Sequence, residues 1–251
     1  MKRFITRLTR PCIDLSLRIG AMAMLICLLL SFQTAKAQFS NVPVTGFNND
    51  IVANGVGTGA ANSMPGVTYQ TINVDGNLPN AFGFIDNTFR RSPTSAVPVA
   101  GCHFPANNLA PSLLTPGLTY QFQSYSANNS LTLDNNSTTY TTSPFPNSGT
   151  LTLSTPASYG KLYVLYESVL NVSPMTIDVT VNFVGGSSQS FNGNSLVNWF
   201  TNTNTGFTGI SRCGHNSSLS TPQACPGGPF LFELQLPISP ANFGLQVQSI
   251  T

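Results

Sequence analysis

Past residue 37 the chain offers seven carboxylates, two histidines and three cysteines to chemistry, and their spacing limits what they can do. The acids are Asp50, Asp75, Asp86, Asp134, Glu167, Asp178 and Glu233. Glycoside cleavage needs two of them facing each other across a cleft, and no spacing in this set marks such a pair. Asp178 and Glu233 occupy polar positions of alternating segments, which predicts exposed charges on wet strand faces. His103 and His215 stand in Gly-, Pro- and Asn-rich sequence with no Gly-x-Ser-x-Gly elbow to present a nucleophile, so both read as loop residues.

Cys213, His215 and Cys225 could furnish three zinc ligands, with His103 or Cys102 as a fourth, but their spacing fits no common zinc module. A Cys213–Cys225 disulfide is the better reading. It would close a short loop whose constraint contributes roughly 3 kcal/mol, leaving Cys102 free, while pairings that involve Cys102 stay open. Asp75-Gly76-Asn77, Asp86-Asn87 and Asp134-Asn135-Asn136 place hard oxygen donors in turns, which makes Asp75 and Asp134 weak Ca2+ candidates. Asp, Asn and Gly are also what turns are made of, and none of these stretches carries a full calcium-loop ligand set, so no cofactor is expected. Sugar binding calls for an exposed aromatic plane beside amides and hydroxyls. Tyr125 and Tyr140 lead that search, with Asn128 as a neighbouring amide, ahead of Phe145, Tyr159 and Phe207. Trp199, set in Leu196-Val197-Asn198-Trp199-Phe200, reads as a core residue instead.

What must position these groups begins after a leader. Lys2, Arg3, Arg7, Arg10 and Arg18 precede an uncharged run from Ile19 to Phe32, and Ala35-Lys36-Ala37 supplies small residues for cleavage, so residues 1–37 read as a secretory signal peptide. No later stretch has the roughly 20 apolar residues of a membrane-spanning helix. The leader also holds most of the positive charge. Only Arg90, Arg91, Lys161 and Arg212 remain against the seven acids, so the residues from 38 onward are net acidic and offer no basic track for nucleic acid.

The rest of the chain has period two almost wherever it has any period, which predicts an all-β fold. From Met175 to Val184, Ile177, Val179, Val181 and Phe183 alternate with Thr176, Asp178, Thr180 and Asn182, giving one buried face and one wet face. Gly185-Gly186 then supplies the positive φ of a tight hairpin. Shorter alternations mark Leu118 to Phe122, Leu151 to Leu153, Phe230 to Leu236 and Leu245 to Val247. Leu162 to Tyr166 is apolar throughout, as a central strand covered on both faces would be. Turn-rich stretches between such short strands argue for one antiparallel β-sandwich or jelly roll over residues 38–251.

The order of features resembles the galactose-binding-like jelly-roll group found in exported multidomain bacterial proteins, including accessory domains of glycosidases and cell-surface proteins. The resemblance rests on Gly46-Phe47-Asn48-Asn49-Asp50, Val74-Asp75-Gly76, Leu114-Thr115-Pro116-Gly117-Leu118, Lys161-Leu162-Tyr163-Val164-Leu165, and Val179-Thr180-Val181-Asn182-Phe183 leading to Trp199. It implies a non-catalytic module, with a glycan or a cell-surface component as partner and an extracellular, cell-surface or periplasmic location. A passive spacer domain is the alternative, and an unrecognised glycosidase or esterase a more distant one.

Overall fold

The computed structural model describes residues 38–55, 82–90, 101–133, 145–168, 175–214 and 228–251. Leader residues 1–37 lie outside this set. From Phe39 to Thr251 the chain belongs to one compact unit. The fold is all-β, as the period-two pattern predicts. Among the described residues the only helical element is one 3₁₀ turn, Pro240–Asn242, and no helix is long and apolar enough to cross a membrane.

The largest sheet has the order β1-β6-β13-β8-β9 with every pair antiparallel: β1 (Val44–Thr45), β6 (Leu151–Ala157), β13 (Val247–Ile250), β8 (Met175–Phe183) and β9 (Ser188–Leu196). In β8 the alternation is realised as written, with Val179, Val181 and Phe183 buried, Ile177 packed beside them, and Thr176 and Asp178 exposed. Gly185 and Gly186, at φ +96° and +89°, make the turn into β9. Near the far end of that hairpin the register shifts between Ile177 and Val179, and the Asp178 carboxylate accepts the Gly193 N–H at 2.7 Å, fixing the bulge.

A second antiparallel sheet runs β10 (Thr205–Phe207), β12 (Leu231–Pro237), β7 (Lys161–Tyr166). Leu153, Val179, Val181, Phe183 and Val247 of the first sheet share an aliphatic core with Leu162 and Leu236 of the second, an arrangement consistent with a sandwich. A second core is aromatic. Phe84, Phe104, Tyr125, Trp199, Phe230 and Phe232 meet there, and burial of Trp199 follows the sequence reading.

Strands β7 and β12 serve both cores. Leu162 and Val164 pack in the aliphatic one, Leu165 and Tyr166 against the aromatic one, and β12 divides likewise between Leu234–Leu236 and Leu231–Phe232. This corrects the reading of Leu162 to Tyr166 as a central strand. Among the described residues β7 pairs only with β12, and its uninterrupted apolar character comes from feeding two cores.

The remaining strands are short. The parallel pair β2 (Val52–Ala53) and β3 (Phe82–Ile85) joins β11 (Arg212–Gly214), and β4 (Leu109–Pro111) forms a ladder with β5 (Thr119–Gln121).

Candidate functional site

The loop end above the aromatic core holds an open depression of about 580 Å³. Its floor is set where β2 lies beside β3. The Phe84 N–H donates to the Ile51 carbonyl (2.8 Å) and the Asp86 N–H to that of Ala53 (3.0 Å), while Phe104 bridges alongside through Ile85 (2.8 Å). Asp86, directly after β3, is buried. Its Oδ1 accepts the Thr88 N–H (2.8 Å), the Thr88 hydroxyl (2.8 Å) and the Phe89 N–H (3.0 Å), a side-chain turn of the kind Asp favours. Thr88 Oγ1 in turn accepts the Gly55 N–H at 2.9 Å, tying the exit of β2 to the same knot.

The opposite wall comes from the ends of β4 and β5. Asn108 sits at φ +57° and its amide donates to the Gln123 carbonyl (2.6 Å). Gln121, half-buried Phe122, Ser124, Tyr125 and Ser126 complete the wall. The Asn54 amide reaches across to the Tyr125 carbonyl and to Ser126 Oγ (3.2 Å).

Tyr125 is thus in the depression's wall, but not as the exposed stacking plane the sequence suggested. Its ring is 7% exposed, packs edge-on against Phe104 at 5.7 Å, and its hydroxyl donates to the Pro105 carbonyl at 3.0 Å. Burial, and then the charge of Asp86, push its phenol above the usual tyrosine value. Asn128 is exposed on the same loop, outside the depression, with a 3.5 Å contact to the Phe47 carbonyl. Tyr140, Asp75, Asp134, His215 and Cys225 lie outside the described residues, as does the side chain of Cys213 in β11, so the proposed disulfide is not described. Cys102 is half-buried and unpaired. His103 donates through Nδ1 to the Phe104 carbonyl at 2.9 Å, a local loop bond. Among the described residues no group of three or more His, Cys, Asp or Glu is placed to hold a metal ion.

Two carboxylates were missed by sequence reasoning. Glu233, expected on a wet face, is only 8% exposed. Oε1 accepts from the Thr115 hydroxyl (2.6 Å) and the Gln235 amide (2.8 Å), Oε2 from the Ser112 hydroxyl (2.6 Å) and the Tyr120 hydroxyl (2.7 Å). Burial alone would raise its pKa, but the four donors outweigh it and hold the carboxyl below the usual glutamate value. The result is a staple from the middle of the second sheet to the β4–β5 loop. Gly206 of β10 lies so close that a Cβ there would come within 2.9 Å of the Leu165 side chain and 3.1 Å of Glu233 Cβ. The available signal was Leu231, an apolar residue at the parity that should have been wet.

Asp50 is the second, at 3% exposure. Its Oδ1 accepts the Asn129 amide (2.6 Å) and more weakly the Val52 N–H (3.4 Å), while Oδ2 is buried with no hydrogen-bond partner among the described residues. Burial outweighs those two bonds and pushes its pKa up to about 7.

Set against family models, curated proteins and solved structures, the chain matches none of them.

Proposed function

We propose that this chain is an exported, non-catalytic β-sandwich module that binds carbohydrate through the depression at its loop end. The observation that carries the reading is the lining itself: amides of Asn54, Asn108 and Gln121, hydroxyls of Thr88, Ser124 and Ser126, and one carboxylate, beside the aromatic side chains of Phe122 and Tyr125. Polyols are recognised by such groups, which exchange hydrogen bonds with hydroxyls while apolar edges cover the C–H faces of a sugar ring. Export rests on the leader, and the resemblance to galactose-binding-like modules points the same way. The non-catalytic reading is argued from the same lining, in which Asp86 is the one carboxylate among the described residues, with no second acid and no histidine to share acid–base work.

Titration calorimetry with neutral oligosaccharides tests the reading. We expect at least one to bind with a dissociation constant in the micromolar to millimolar range. Gln121→Ala, at an exposed lining position, should weaken that ligand several-fold without moving the melting temperature. If nothing binds at tens of millimolar sugar, the passive spacer reading replaces this one. Turnover of chromogenic glycosides or esters would overturn the non-catalytic assignment.

A further inference from the structure

Asp86 is the only charged residue among those lining the depression. Its two oxygens have different duties. Oδ1 is saturated by Thr88 and Phe89, which fixes the carboxylate in place, whereas Oδ2 accepts no hydrogen bond from any described residue. Arg90, two residues beyond Thr88, is not part of the lining, and among the described residues no cation lines the depression. An immobilised carboxylate with no cation beside it in the described lining accepts strongly from hydroxyl donors and repels a second anion, and the residues beyond the leader are net acidic.

We infer that the depression selects uncharged polyhydroxylated ligands and rejects anionic sugars, with Asp86 Oδ2 as the acceptor that reads a ligand hydroxyl. This rests on the carbohydrate reading above and adds a ligand class and a specificity-determining residue to it.

The test uses the chain from Gln38 onward at 150 mM salt, where surface charges farther than about 8 Å are largely screened and a contact charge is not. Neutral probes are cellotetraose, xylotetraose and chitotetraose; the acidic probe is tetragalacturonate. The expected result is binding of a neutral probe with no detectable binding of tetragalacturonate at ten times its concentration. Asp86→Asn keeps Oδ1 for its three donors and turns Oδ2 into a donor, so it should weaken the neutral ligand about ten-fold with the far-UV spectrum unchanged. Gln121→Lys, on an exposed part of the same wall, should admit tetragalacturonate, and it supplies a gain of binding if Asp86→Asn folds poorly. Tetragalacturonate binding to the unaltered chain as tightly as a neutral probe, or Asp86→Asn binding unchanged, overturns the selectivity while leaving the carbohydrate reading intact. Failure of every saccharide removes both.

Discussion

The aliphatic and aromatic halves of the molecule are held together by different means. Around β8 the core is built from Val179, Val181, Phe183, Leu236 and Val247, and its stability comes from apolar area repeated along paired strands. The buried polar residues are placed elsewhere. Asn49, Asp50, Asp86, Ser211 and Arg212 lie on the segments that frame the aromatic core, and Glu233 sits at the point on β12 where one core gives way to the other. Arg212 is stacked on Trp199 and Phe200, its guanidinium 4.6 and 4.5 Å from the two ring centres. One half thus minimises the number of groups that need a specific partner, and the other accumulates them. A surface that exchanges hydrogen bonds with a ligand must be supported by oriented polar groups, and these cost stability that the apolar half supplies.

The sharpest way to break this comparison is a charge in the aliphatic half. Val181→Asp buries an ion with no partner and should remove more than about 4 kcal/mol, enough to unfold the chain, whereas Thr180→Asp on the opposite face should cost less than about 1 kcal/mol. Equal shifts in melting temperature would mean that the register of β8 is wrong.

Next in size is Glu233→Ala. It strands the hydroxyls of Ser112, Thr115 and Tyr120 and should cost about 3 kcal/mol, with amide exchange accelerating from Ser112 to Leu118 before the rest of the sheet. Unchanged exchange in that loop would show that the staple does not hold it.

Comparable in total but spread over about three pH units, and opposite in sign, is the effect of Asp50. Its folded pKa of about 7 exceeds the unfolded value of 3.8, so the folded chain holds an extra proton between those limits. Stability should therefore fall as pH rises from about 4 to 7, with a limiting slope of about 1.4 kcal/mol per unit, and Asp50→Asn should flatten that window. Glu233 acts the other way, since its lowered pKa makes its contribution full above the unfolded value of 4.5 and lost on further acidification. A melting temperature that rises steadily from pH 4 to 7 would refute the Asp50 assignment. The smallest effect expected is from chelation: EDTA should leave the melting temperature unchanged, and a drop of several degrees would reopen the calcium reading of Asp75 and Asp134.

The aliphatic half was legible because its strands are long enough for period two to register. Met175 to Phe183 announces its buried face and Gly185-Gly186 its turn; in the aromatic half only Trp199 announces its burial, by its apolar company. Around the depression the strands have two to four residues, too few for a period, and the core is assembled from positions as distant as Val52, Phe104, Tyr125 and Phe230. Tyr125 was found by its Ser neighbours and misread in its exposure, because nothing local records that Phe104 covers it. Glu233 was misread for a related reason: parity alone assumes a sheet with one wet face, and the β4–β5 loop dries the other.

Strands β7 and β12 also act as a mechanical link between the two cores. They are paired over six consecutive positions, from Phe232 with Tyr166 to Pro237 with Lys161, and that ladder is continuous while the packing around it changes from aromatic to aliphatic. Neither half can melt without opening hydrogen bonds on which the other depends. The strands around the depression are a different case: β2, β3 and β11 form one small sheet and β4 and β5 another, and neither pairs with β7 or β12 among the described residues. Cooperativity thus couples the two cores, whereas the rim of the depression opens at the cost of its own short ladders.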